Sequence, residues 1–236
     1  MNIVADLFKS SLGRKYIMAI SGGALFFFVI AHLLGNLQIF LGREQINAYG
    51  SFLQTTPEIL WTARVGLLAM AALHIWSAMK LSAENKAARP IPYANWNPTA
   101  ASYASRTMLM SGLIIAGFVI YHLLHFTVQV KAINLTGQDF GELQDKGRHD
   151  VYRMMITGFS HSLVSGFYLL SMGLLCLHLS HGTSALFQSV GWKNQVYGPM
   201  IDRFATITAW LIFLGYSSIP IAVLLGYGKE ALRGLP

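Results

Sequence analysis

The chain is expected to be an all-α membrane protein with five transmembrane helices. Three observations predict this. Of 236 residues, 54% are hydrophobic and 11% charged, against roughly 25% charged in soluble domains. Five long apolar runs recur along the chain, and about 20 apolar residues suffice to cross a bilayer core as a helix. The third observation is histidine: there are eight, several deep inside those runs, where ionisable groups are costly and mark functional sites by default.

The first run, Tyr16 to Gly42, carries no formal charge and contains His32. The preceding MNIVADLFKSSLGRK is basic, as in a signal peptide. The run is far longer than a signal core of about 7–15 residues, and no small-residue cleavage site closes it, so a retained first span is expected. After a polar turn, Pro57 is placed to open the second helix. That span covers about residues 59–81, with Arg64 and Lys80 near the two interfaces, where long basic side chains snorkel. The connection SAENKAARPIPYANWNPTAASYAS holds three prolines and three aromatic residues, Tyr93, Trp96 and Tyr103, of types suited to an interface.

The third span covers about 106–130. The loop after it, KAINLTGQDFGELQDKGRHD, is the most charged stretch and is expected to stand in water. The fourth span covers about 154–182, with Gly182 ending the helix and TSALFQSVGW at the interface. The fifth, 203–228, has no histidine. Residues 1–236 therefore read as one transmembrane domain, without internal repeats. With the N-terminus inside, the inner segments hold nine Lys/Arg and three Asp/Glu, the outer ones eight and seven. The short inner segments carry the basic excess in the expected direction. The single cysteine, Cys176, rules out an internal disulfide, and the absence of C-x-x-C-H argues against a c-type haem.

Helix rise converts spacing into depth. His32 lies sixteen residues beyond Tyr16, or about 24 Å at about 1.5 Å per residue. His122, fifteen residues beyond Thr107, reaches a similar outer level. The descending second and fourth spans place His74 and His178 towards the inner side. Two histidines from different helices at one level are what bis-histidine haem b requires, one nitrogen to iron and the other free to donate a hydrogen bond. Two such pairs in a core of the first four helices predict two b haems carrying electrons across the bilayer. A zinc site usually gathers three or four ligands at local spacing, which is absent here, and structural histidines are the other alternative.

Periodicity leaves choices open. His125 follows His122 by three residues and His181 follows His178 by three, on nearly the same faces. Gly22 and Gly112, each ten residues before a histidine, fit either close approach of a porphyrin or ordinary small-residue packing. His161 suits a quinone, a propionate or a polar pocket, and His149 is expected to be solvated.

The chain resembles the dihaem cytochrome b membrane subunit of succinate:quinone oxidoreductases and fumarate reductases, the five-helix type with one anchor polypeptide. The resemblance covers nearly the whole chain. It is carried by His32-Leu-Leu-Gly-Asn-Leu with Ile46-Asn-Ala-Tyr49, by His74 late in the second span, and by Ser111-Gly112 ten residues ahead of His122. His178-Leu-Ser-His181-Gly182 running into Phe187-Gln188 completes it.

The resemblance implies His32 with His122 at a distal haem and His74 with His178 at a proximal one. It favours His122 over His125 through the glycine ten residues earlier, and His178 over His181 through the glycine four residues later. It further implies partners: a flavoprotein with covalent FAD that oxidises succinate, as in the tricarboxylic acid cycle, and an iron–sulfur subunit relaying electrons. This chain would anchor both at the inner face of a bacterial cytoplasmic membrane and hold a quinone site, for menaquinone or ubiquinone. No dehydrogenase catalysis would reside in it, and no nucleic-acid partner is expected.

Arg64 is a candidate for a propionate or quinone carbonyl, with Glu58, Asn36 and Gln38 further outer-side candidates. Arg14, Lys15 and Arg106 are candidates for inner propionates or for docking the iron–sulfur subunit, and they also satisfy the positive-inside pattern. One departure stands out. Some dihaem fumarate reductases carry a glutamate two residues before the fourth-helix ligand; here that residue is Cys176, so the associated proton route is not carried over. The competing functions are a dihaem cytochrome b of a hydrogenase or formate dehydrogenase, whose histidine register differs, and a non-redox anchor or transporter.

Overall fold

The computed structural model describes residues 3–88, 91 and 102–232. In chain order the helices are α1 (Ile3–Lys9), α2 (Ser11–Leu37), α3 (Arg43–Thr55), α4 (Pro57–Ala87) and α5 (Tyr103–Arg106). They continue with α6 (Met108–His122), α7 (Val151–Ser160), α8 (Ser162–Ser189) and α9 (Gly198–Leu224). Among the described residues, five helices are long and apolar enough to cross a membrane: Ser11–Leu41, Pro57–Ala87, Met108–Thr127, Ser162–Ser189 and Gly198–Leu224. A helix satisfies its own backbone, which is the condition for crossing a hydrocarbon layer. The protein is thus an all-α, multi-pass membrane protein in its main architecture.

Pro57 opens α4 as expected. The proline- and aromatic-bearing positions Pro90, Pro92, Tyr93, Trp96 and Pro98 lie outside the described residues. The third span ends in a π-helical turn, Leu123–Thr127, a locally wider, underwound turn that holds His125.

The fourth span differs from its expected course. Instead of one helix over 154–182, α7 ends at Ser160, His161 adopts an extended conformation (φ −82°, ψ 117°), and α8 starts at Ser162. The break frees backbone groups at both helix ends. Ser165 Oγ donates to the Phe159 carbonyl at 2.6 Å, supplying the partner that an amide four residues on provides in an unbroken helix. At the other end α8 continues past Gly182 to Ser189. Lys193 Nζ donates to Ser184 Oγ at 2.8 Å and to Asp202 Oδ1 at 2.7 Å, and Ser184 Oγ donates to Asp202 at 2.5 Å. This knot ties the last turns of α8 to the start of α9 and carries the helix beyond its glycine.

The charged loop is folded rather than merely solvated. A two-residue antiparallel ladder pairs β1 (Gln144–Asp145) with β2 (Arg148–His149). Its turn is Lys146-Gly147, both at positive φ (53° and 77°), the twist that tight hairpins favour. Phe140 and Asp150 are fully buried. Asp150 caps α7 by accepting from the Arg153 amide at 3.1 Å, accepts from Asn47 Nδ2 at 2.9 Å and pairs with Arg43. Asn47 in turn accepts from the Tyr152 amide at 2.9 Å. His149, expected to be solvated, is half-buried, with Nε2 3.1 Å from Gln129 Nε2 and 3.4 Å from Met154 Sδ. Burial lowers its pKa, against opposing contributions from Asp150 and the Leu143 backbone.

The chain divides into two compact units whose boundaries fall within the long helices. One comprises Met1–Phe28, Arg64–Leu113 and Leu177–Ala209; the other Val29–Ala63, Ile114–Cys176 and Trp210–Pro236. In the first, Phe8 packs on Trp76 with ring centroids 5.7 Å apart. The second is built on buried Ile39, Ile46, Ile156, Phe159, Val164 and Tyr168.

Candidate functional site

The residues of interest fall into two histidine pairs, one in each unit. In the second unit, His32 on α2 and His122 at the end of α6 lie with ring centroids 5.7 Å apart and planes at 79°. In the first, His74 on α4 and His178 on α8 are 6.4 Å apart at 68°. Two metal–imidazole bonds of about 2.0–2.1 Å, plus about 1.1 Å from each nitrogen to its ring centre, put axial imidazole centroids about 6.3 Å apart. Both observed separations lie close to that span, so each pair has the spacing of a two-imidazole site. Among the described residues no three or more His, Cys, Asp or Glu gather as metal ligands.

Ring nitrogens in both pairs are engaged by their surroundings. His74 Nδ1 lies 3.2 Å from the Met18 carbonyl and 3.4 Å from Ser21 Oγ. His178 Nδ1 lies 3.3 Å from Ser111 Oγ. His122 Nδ1 is 3.3 Å from the Tyr168 hydroxyl, and Phe118 stacks on the His122 ring. His32 sits beside Tyr216, at 6.2 Å between centroids, and Asn36 Nδ2 is 3.3 Å from both of its ring nitrogens while donating to its own-turn His32 carbonyl at 2.7 Å.

Close approach explains the glycines. A Cβ at Gly22 would sit 3.0 Å from His74 Cε1, and one at Gly112 3.3 Å from His178 Cε1. What these glycines admit in the structure is the imidazole of a neighbouring helix. Gly35, within the His32-Leu-Leu-Gly run, does the same for Tyr49: its Cβ would meet the Tyr49 hydroxyl at 2.8 Å. With Asn47 buried under the loop, this accounts for the Ile46-Asn-Ala-Tyr49 stretch as packing.

The alternative ligands have other neighbours. His125 is fully buried among aromatic rings, 4.0 Å from Phe126, 5.5 Å from Tyr121 and 5.6 Å from Phe140 between centroids. Its Nδ1 is 3.0 Å from the Tyr168 hydroxyl, and its Nε2 is buried with no partner among the described residues. Tyr168 can thus accept from one histidine while donating to the other. His181 lies within the electrostatic reach of Lys193 and Asp202. His161 marks the helix break, its Nδ1 buried. Cys176 is buried and free.

Of the basic candidates, Arg64, Arg106 and Lys15 are exposed. Arg14 is buried and committed: Nη1 donates to the Phe8 and Lys9 carbonyls at 2.8 and 2.9 Å, and Nη2 pairs with Glu84 at 2.5 Å. It holds the C-terminal end of α1, where a cation is favoured. Glu58 is exposed, and Gln38 accepts from Gln45 at 2.9 Å. Sequence reasoning missed Tyr168, Tyr216 and Ser21. The one available signal was the Ser-Gly dipeptide, present at 21–22 and 111–112 and also at 165–166, where the serine bonds the Phe159 carbonyl instead. No protein-family model, curated protein or solved structure matches the chain.

Proposed function

We propose that this protein is the membrane anchor and electron-transfer subunit of a succinate:quinone oxidoreductase, of the dihaem cytochrome b type. The observation that carries the reading is that four helices contribute one histidine each to two facing pairs, 5.7 and 6.4 Å apart. His32 with His122, and His74 with His178, would each hold one haem b within a bundle of the first four spans. When bound, each haem would supply a one-electron carrier, and a histidine from each of two helices would hold it for electron transfer rather than oxygen binding. The N-terminus would face the inside of a bacterial cytoplasmic membrane. The inner surface would dock an iron–sulfur subunit that receives electrons from an FAD flavoprotein, and a membrane quinone would take them up.

The chain's own residues would orient the imidazoles and exclude water from them. Arg64 and Arg106, both exposed, would be the candidates for a propionate or a quinone carbonyl. Arg14, with both terminal nitrogens engaged, would instead brace the inner-face helix.

A reduced-minus-oxidised spectrum of the purified chain should show a b-type α-band, and a pyridine haemochrome assay two haems per chain. Absence of the band overturns the haem reading. A flavoprotein with succinate–quinone activity should co-purify; a nickel or molybdenum subunit instead would support a hydrogenase or formate dehydrogenase anchor. Gly22→Ala provides a local check. Its methyl would press on His74, at an overpacking cost of about 1–3 kcal/mol, and haem content should fall towards one. Gly66→Ala, where a Cβ meets nothing within 4 Å, should retain both haems.

A further inference from the structure

The Ser-Gly dipeptides of α2 and α6 meet imidazoles in the same way. Ser21 Oγ donates to the Ile17 carbonyl at 2.6 Å, so only its lone pairs are left for His74 Nδ1 at 3.4 Å. The Met18 carbonyl, 3.2 Å from the same nitrogen, can only accept. Both neighbours therefore require the proton on His74 Nδ1, which leaves the lone pair on Nε2. Ser111 repeats this: Oγ donates to the Met108 carbonyl at 3.1 Å and faces His178 Nδ1 at 3.3 Å. The adjacent glycines let each ring close to within reach of its serine.

We infer that Ser21 and Ser111 are positioning residues that hold His74 and His178 as Nδ1-protonated tautomers, presenting Nε2 to the metal of the inner haem. This rests on the proposed haem function, and it adds an asymmetry. His74 keeps the Met18 carbonyl when Ser21 is removed. His178 has Ser111 as its one hydrogen-bond partner among the described residues. Ser111 therefore sets the inner site more strongly than Ser21.

A hydrogen bond donated from the far nitrogen raises the basicity of a ligating imidazole and fixes its ring, and losing such a partner typically weakens metal binding by about 10–100-fold. A more basic imidazole stabilises the ferric state, so removal should raise the potential.

The experiment is a spectroelectrochemical titration of the purified, haem-loaded chain, with haem retention measured by transfer to apomyoglobin. Ser111→Ala should raise the ferrous-to-ferric ratio of one haem by up to tenfold at the wild-type midpoint, about 59 mV for one electron, and speed its loss at least tenfold. Ser21→Ala should shift the ratio less than Ser111→Ala, and Ser111→Thr, which keeps the hydroxyl, should restore wild-type behaviour. If Ser111→Ala does not fold, Ser111→Cys keeps the volume with a weak acceptor and carries the same expectation. An unchanged potential with both haems retained, equal shifts from the two serines, or failure of the threonine rescue overturns the assignment.

If the wild-type chain holds no haem, the haem reading fails separately. The tautomer is then read from two-bond proton–nitrogen spectra of 15N-histidine-labelled full chain. His178 protonated at Nδ1 in wild type and mixed in Ser111→Ala sustains the positioning role; His178 protonated at Nε2 in wild type overturns it.

Discussion

His178→Ala is expected to leave the purified chain with one b-type haem instead of two, and His122→Ala to do the same at the other pair. His125→Ala and His181→Ala should each retain both. The difference follows from what each ring faces. His178 lies opposite His74 and His122 opposite His32. His125 is enclosed by Tyr121, Phe126 and Phe140, so its removal should cost stability through a buried cavity while leaving haem content intact. A pyridine haemochrome count on each variant checks this. Two haems surviving in His178→Ala would overturn the proposal that His74 and His178 form a ligand pair.

The second large effect concerns the fold of the charged loop. Asp150→Ala is expected to destabilise the protein by about 3 kcal/mol, the lower end of the cost of breaking a buried charge pair, because Arg43 is half-exposed. The loss is compounded by Asn47, fully buried and left without one of its acceptors, and by the missing cap of α7. Burial raises the Asp150 pKa, but hydrogen bonds from Asn47, Arg43 and the Arg153 amide outweigh it and hold the carboxyl below its ordinary 3.8.

A depressed carboxylate contributes stability in full above its unfolded value and loses it as pH falls through the folded value. Thermal melts in detergent should therefore be flat in this contribution above about pH 5 and fall below about pH 4. Asp150→Asn should flatten that acid limb. A mutant melting at the wild-type temperature at pH 7 would show that the loop does not depend on this carboxylate.

How far the sequence reaches is visible at particular residues. The depth count alone matched His32 with His122 and His74 with His178, because rise per residue is uniform along a helix and level is a local property. The same count could not separate His122 from His125, since three residues advance the chain by less than one turn and leave both on nearly one face. The family resemblance favours His122, and in the structure the neighbours across the helix distinguish them, His32 for one and an aromatic box for the other.

The loop shows the opposite case. Its charges read as a solvated connection, yet Asp150 reaches Asn47, 103 positions away, and no pattern local to either residue announces that bond. The break at His161 is a different case: the run from Arg153 to Trp192 gains no further formal charge, and the stop is accompanied by Ser165 reaching six residues back to the Phe159 carbonyl.

By itself, then, the sequence determined that the protein is helical, that it passes the membrane several times and which four helices carry histidine at matching levels, because apolar length and helical rise are set locally. The tertiary structure decided which ring faces which, what the glycines admit, where the fourth span breaks and how the loop is held. Apart from the break, held by a bond six residues long, these turn on contacts between residues far apart in the chain, and such contacts exist only once the helices have packed.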